Sequence, residues 1–248
     1  MTSRFLLFTC AIAMLASGTA YAGVGKISSP TVTKGVAEIE YSGIRYGDDK
    51  KSLNNKQAHT FEIEYGVTDR LLLGLEGKSA RASGDRHVFK AYGAEAQYMV
   101  TEQGDWWLNT AIKAEYLQAT QSNKTNEIEA KWLASKKLGS TQVVFNLGFA
   151  KEVGNHSESG LAVETALQGS HKINEYISPG LEWHADYGKL NKLDKGNQHA
   201  HYVGPILTGD LFHTNNGEVE YTVGYFWGLG NNAADNAARL EIGYEFAF

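Results

Sequence analysis

Along residues 239–248 the chain reads Arg-Leu-Glu-Ile-Gly-Tyr-Glu-Phe-Ala-Phe. Leu240, Ile242, Tyr244, Phe246 and Phe248 fall on one side of an extended strand, and Arg239, Glu241, Gly243, Glu245 and Ala247 on the other. Successive strand side chains point to opposite faces, so the segment has one apolar face and one wet face. The same alternation recurs along the chain. It predicts strands over 35–46, 57–66, 71–80, 87–99, 106–118, 125–138, 141–152, 160–171, 176–188, 198–208, 217–228 and 237–248. The connectors alternate too. Short ones such as Gly66-Val67-Thr68-Asp69-Arg70 and Lys137-Leu138-Gly139-Ser140 take turns with longer stretches rich in Asn, Ser, Lys and Gly, as at 47–56 and 189–197. Pro179 and Pro205 lie inside predicted strands, where proline removes a ladder donor, and they are candidate bulges.

One register per strand follows from the pattern. The apolar side includes Ile39, Tyr41, Phe61, Ile63, Tyr65, Leu73, Leu75, Tyr92, Tyr98, Ile112, Tyr116, Ile128 and Trp132. It continues through Val143, Phe145, Leu147, Phe149, Val163, Leu167, Leu181, Trp183, Tyr187, Tyr202, Ile206, Val223, Tyr225 and Trp227. A slip of one residue would exchange the faces, so the register is strongly specified. Short and long connectors in turn, with an apolar face carrying aromatics near strand ends, predict an all-β fold. It is an antiparallel transmembrane β-barrel of about 12 strands, apolar outside and polar within. An even strand count places both termini at the periplasmic end. The soluble alternative, with the apolar face inside, would need these large aromatics to fit a small interior.

The ends of the chain agree with export. Residues 1–22 carry one basic residue, Arg4, an apolar run from Phe5 to Ala16, and Ala20-Tyr21-Ala22 as a small-x-small cleavage site. This reads as a removable signal peptide, with 23–248 as a single barrel domain, an outer-membrane location and a Gram-negative-type envelope. The run is shorter than the roughly 20 residues of a membrane-spanning helix. Cys10 is the sole cysteine and leaves with the signal, which excludes disulfides and thiolate metal sites from the mature chain. The net charge of −5 becomes −6 without Arg4, which argues against nucleic acid as a partner.

The candidate chemistry lies on the wet face. Its lumen set is Glu38, Glu40, Glu62, Glu64, Glu76, Glu95, Lys113, Glu115, Glu127, Glu129, Lys131, Glu164, Glu182, Glu220, Arg239, Glu241 and Glu245, with Lys78 and Asp186 beside them. Glu-x-Glu in a strand puts two carboxylates on one face about 7 Å apart, as at 38/40, 62/64 and 127/129. Two readings stay open. Either cross-strand ion pairs simply keep charge out of lipid, or an acidic pore favours cations or polyhydroxylated solutes. Late in the chain, His184 with Asp186 and His199 with His201 occupy two neighbouring strands, a set suited to zinc or copper but not requiring either. No cofactor is expected. No enzyme is expected: catalysis of the kind found in twelve-strand outer-membrane phospholipases needs a serine and histidine within reach, and the neighbours Ser170-His171 and His156-Ser157 would point oppositely in a strand.

Glu38-Ile39-Glu40-Tyr41, followed by the stretch Phe61-Glu62-Ile63-Glu64-Tyr65-Gly66-Val67-Thr68-Asp69-Arg70 and on to Glu76, resembles a known family. It is similar to the N-terminal hairpins of the outer-membrane transporters grouped with the meta-pathway phenol-degradation family. Val67 stands where that family usually has leucine. The resemblance implies passage of small, often hydrophobic or aromatic molecules, and it assigns no binding residue. The expected function is an outer-membrane channel or transporter passing small solutes through a polar, acidic lumen. The alternative is a non-transporting structural or surface-binding barrel. The expected partners are outer-membrane lipids, lipopolysaccharide and the barrel-assembly machinery, the last through the terminal strand ending in Phe248.

The exported protein is expected to begin at Gly23. Intact mass spectrometry checks this, and a mass that retains the apolar run would refute the signal assignment.

Overall fold

The computed structural model describes residues 23–102, 104–193 and 199–247. The expected signal peptide at 1–22 and the terminal Phe248 lie outside the described residues, as do Gln103 and 194–198.

Twelve barrel strands follow the alternating segments closely. They are β1 (Val36–Gly47), β2 (Gln57–Gly66), β3 (Leu71–Arg81), β4 (Val88–Thr101), β5 (Asn109–Ala119) and β6 (Asn126–Leu138), then β7 (Thr141–Val153), β8 (Ala162–His171), β9 (Ser178–Lys189), β10 (Ala200–His213), β11 (Gly217–Leu229) and β12 (Asn236–Ala247). Each strand pairs antiparallel with the next, and β12 pairs with β1 from Val36↔Ala247 to Gly47↔Asn236, so the sheet closes. Closure leaves no row of unpaired backbone groups at an edge. A two-residue ladder, Lys192–Leu193 on Lys189 and Gly188, extends β9 into its loop. The two-residue turn between β6 and β7 carries Gly139 at φ 61°, at the first loop position, where tight hairpins favour glycine.

The two faces separate as the pattern requires. Leu75, Phe61, Ile112 and Leu181 are exposed outside, while Glu40, Glu76, Glu95 and Lys113 are buried within. Strand β10 departs from expectation. Tyr202 and Ile206, expected on the outer face, are 2% and 4% exposed and point inward. The reason is a local apolar core inside one end of the barrel. Tyr202, Ile206 and Phe226 pack there with Val24, Tyr46, Ala200, Ala233, Ala234 and Ala237. An apolar residue on an alternating strand therefore does not by itself mark the lipid side. The prolines also differ from expectation. The β9–β10 register runs unbroken past Pro179 and Pro205. On the other side, the β10–β11 ladder omits Gly204 and Pro205 while keeping its register. Bulges occur instead at Lys78/Ser79, Met99/Thr101, Ala162/Glu164 and Asp210/Phe212.

The long connectors cover the end that holds this core. Ala234 N donates to the Tyr202 hydroxyl at 2.8 Å, and the backbone N–H groups of Asp49 and Asp235 donate to the carboxylates of Asp235 and Asp48 at 3.1 and 3.2 Å. Loops 48–56 and 230–235 are thereby tied together. The start of β1 and the end of β12 adjoin at the opposite end, with the short connectors.

Phe226→Ala should cost about 3–5 kcal/mol, the usual loss for emptying a buried aromatic site. Tyr202→Phe should cost about 1–3 kcal/mol, because it strands the buried Ala234 N–H. Urea unfolding in detergent micelles measures both, and near-neutral values would mean that β10 and β11 do not build this inner core.

Candidate functional site

The lumen is occupied by the chain's own N-terminal segment. Residues 23–35 precede β1 and pass inside the barrel. Val24 is 1% exposed and its N–H donates to the Tyr46 hydroxyl at 3.3 Å, near the long-connector end. At the other end Gly35 N donates to Gly66 O at 2.8 Å. A Cβ at Gly66 would collide with the Thr33 carbonyl, so the glycine permits this close passage.

Between these ends, polar groups from many strands hold the segment. Lys26 Nζ lies 2.8 Å from both Glu40 Oε2 on β1 and Glu62 Oε2 on β2. Burial works against the ammonium, and the two carboxylates at ion-pair distance compensate it. Arg239 Nη1 donates to Gly25 O at 2.6 Å. Asn146 on β7 accepts from Ser28 N at 2.8 Å and donates to Ser28 O at 2.9 Å, while Gln97 on β4 donates to Ser29 O at 3.0 Å. An extended segment has no internal ladder, so its buried N–H and C=O groups take partners from the wall.

The expected lumen residues fall on the inner face, and the structure shows their partners. Lys78 bridges Glu76 and Glu115 at 3.2 and 2.8 Å, and Lys113 bridges Glu64 and Glu95 at 3.3 and 2.8 Å. Lys131 approaches Glu129 at 3.1 Å and Glu164 at 3.8 Å. On the far wall Arg239 meets Glu182 at 2.7 Å and Glu241 at 3.1 Å, and His184 Nε2 lies 2.9 Å from Glu182 Oε2. The guanidinium also sits 5.3 Å from the centre of the Phe226 ring. The inner cations are outnumbered by carboxylates. Glu38, Glu220 and Glu245 extend the acidic face toward the short-connector rim, and Glu127 lies buried on β6. A cavity of about 50 Å³ remains beside the segment, lined by Lys26, Lys131, Asn146, Glu164, His184 and Asp186 among others.

The histidine set is not brought to one point. His184 faces inward and is 3% exposed. His201 lies on the other face, stacked 5.8 Å from Trp183, with His199 5.3 Å away and Tyr187 beside both. Asp186 accepts from Gly188 N at 2.7 Å. These residues sit on opposite sides of the sheet because β10 has the inverted register described above. Among the described residues, ligand-type atoms converge instead in Asp210, His213 and Glu218, and in Glu218, Glu220 and Glu245. The Asp210/Phe212 bulge turns Asp210 and His213 to one side, and His213 pairs with Glu218 at 3.2 Å.

Sequence reasoning missed the segment 23–35, along with Asn146 and Gln97, which grip it. The segment lacks the alternation that marks a strand. Asn146 and Gln97 do carry a signal, since each is a polar residue at an inward position of its strand.

No family model matches the sequence, and no curated protein matches it. Solved structures share the fold. The COG4313 outer membrane channel from Pseudomonas putida F1 superposes with a TM-score of 0.63 at 15% identity, covering 91% of this chain and 100% of that one. The KdgM porin in complex with disordered oligogalacturonate gives 0.52 at 11% identity, over 85% and 99%. KdgM porin in a second structure gives 0.51 at 10% identity over the same shares. The fold of this chain is thus that of outer-membrane channels.

Arg239→Met should destabilise the barrel by about 3–5 kcal/mol, because Glu182 and Glu241 lose the cation that compensates them. Adding Glu182→Gln should recover part of the loss. A double-mutant cycle by urea unfolding measures the coupling, and strictly additive losses would show that the pair is not coupled.

Proposed function

We propose that this chain is an outer-membrane channel for small solutes, narrowed by its own N-terminal segment and favouring cations. The observation that carries the reading is the segment 23–35, laid through a charged lumen and held largely by polar contacts. Such contacts exchange with water and solute at little cost, unlike a packed apolar plug. The membrane setting is supported by the outer face. Leu75 at 63% exposure, Leu181 at 64%, Phe61 at 59% and Ile63 at 56% belong to an apolar belt far larger than a soluble monomer exposes. The structural neighbours named as channels support the same role. In this reading the signal peptide exports the chain, the short connectors and both termini are periplasmic, and the long connectors face outward.

The surplus of carboxylates over ammonium and guanidinium groups supports preference for cations and polyhydroxylated solutes over anions. The resemblance of Glu38–Tyr41 and Phe61–Glu76 to phenol-degradation transporters supports solutes of small size. Within the lumen, Lys26 with Glu40 and Glu62 is the polar clasp that a passing solute must displace or skirt.

A second reading has its own observation. Inner side chains such as Glu182 and Arg239 are almost fully buried, and only small spaces remain between them and the segment. A barrel filled in this way is an envelope structural protein.

Planar-bilayer recording separates the two. Deleting residues 24–33 should raise the single-channel conductance several-fold over the intact mature chain. Reversal potentials across a salt gradient at neutral pH should show cation preference. Absence of conductance with and without the segment would establish the structural reading, and anion preference would refute the acidic lumen.

A further inference from the structure

Every inner cation described above has a carboxylate beside it, but two arginines on the outer face, with two histidines near them, have none. The group lies at the long-connector end of β1 to β3. Arg45 and Arg81 flank Gln57 on neighbouring strands, through the pairs Arg45↔Gln57 and Gln57↔Arg81. Their Cα atoms are thus two strand spacings apart, about 10 Å. His59 lies on the same face of β2, with the His87 ring 5.0 Å from its own. None of these four side chains has a carboxylate at ion-pair distance among the described residues.

Two of the nitrogens are also unsatisfied. His59 Nδ1 pairs with the Tyr41 hydroxyl at 2.7 Å, and Arg81 Nη2 donates to Asn55 O at 3.4 Å. His59 Nε2 and Arg81 Nε are buried and have no hydrogen-bond partner. Arg81 Nε is a donor in every state, and His59 Nε2 is a donor in the tautomer whose Nδ1 accepts from Tyr41. Buried donors normally find an acceptor, and an exception calls for a ligand or water. The two arginines bring positive charge without an acid, and Phe61 is exposed just along the same face. An anion presented at the boundary of the apolar belt matches this charge.

We infer that Arg81, His59, His87 and Arg45 form a docking site for the phosphorylated head group of an outer-leaflet lipid. The acyl chains of such a lipid lie along the belt while its phosphate reaches the rim. The exposed Arg45 guanidinium meets the phosphoryl oxygens directly, and the half-buried Arg81 guanidinium adds charge alongside. The inference rests on the membrane reading proposed above.

The test uses the folded full-length mature protein in micelles doped with lipid A, followed by native mass spectrometry of the bound lipid. Dephosphorylated lipid A and inorganic phosphate are the comparison probes. Arg81→Gln and Arg45→Gln should each weaken lipid A retention about ten-fold or more, as expected for loss of a charge-assisted contact. Arg70→Gln, at the opposite rim, should leave retention unchanged. Heat-modifiable gel migration confirms that each variant is folded. If His59→Gln fails to fold, the exposed Arg45 still carries the test. Equal retention of the dephosphorylated lipid, or unchanged retention by both Arg81→Gln and Arg45→Gln, overturns the site. Full competition by millimolar inorganic phosphate also overturns it, since that would mark a soluble-anion site. Flotation with liposomes separately reads the membrane assignment, so a protein that fails to float refutes that premise and not the head-group chemistry.

Discussion

Closure of a single antiparallel sheet governs the rest of this structure. Once β12 pairs with β1 across its full length, backbone hydrogen bonding is satisfied around the wall and every side chain must point either in or out. The twelve strands are then free to differ in sequence as long as the two faces keep their characters. Glu-x-Glu is tolerated at 38/40, 62/64 and 127/129 because both carboxylates of each pair turn to the same interior. Leu75 and Leu181 remain exposed because the other side of the wall provides their solvent.

A closed wall with so many inward charges creates a problem that the N-terminal segment helps to resolve. Lys78, Lys113 and Lys131 pair with carboxylates along one wall, and Arg239 serves the other. Lys26 brings a further cation to Glu40 and Glu62 from outside the wall's own sequence. Its neighbours offer backbone carbonyls at Gly25, Ser28 and Ser29 to Arg239, Asn146 and Gln97. The segment is therefore part of the ion-pair network of the lumen, and it occupies space that the wall alone leaves open.

The outer rim shows the contrary arrangement. Arg45 and Arg81 carry positive charge without an ion-paired acid, with the rings of His59 and His87 beside them, and two nitrogens of the group lack hydrogen-bond partners. The cations of the lumen are paired with carboxylates of the wall, whereas the two arginines of this patch have no carboxylate at ion-pair distance among the described residues.

The twelve strands, the alternation of short and long connectors and most inward carboxylates were legible in the sequence. Two-residue periodicity is a local property of the chain, and it places Glu64, Glu95, Lys113 and Arg239 on one face without any knowledge of what they touch. Tyr202 and Ile206 show where that local property stops. Their apolar character suited either lipid or a core, and only packing with Phe226, Val24 and Ala234 decided for the core. The same inversion separated His201 from His184. The segment 23–35 has no periodicity, because its partners are side chains drawn from β1, β2, β4, β7 and β12. Its path through the lumen and the unmatched cations at the rim depend on groups far apart in sequence, and only the closed barrel brings them together.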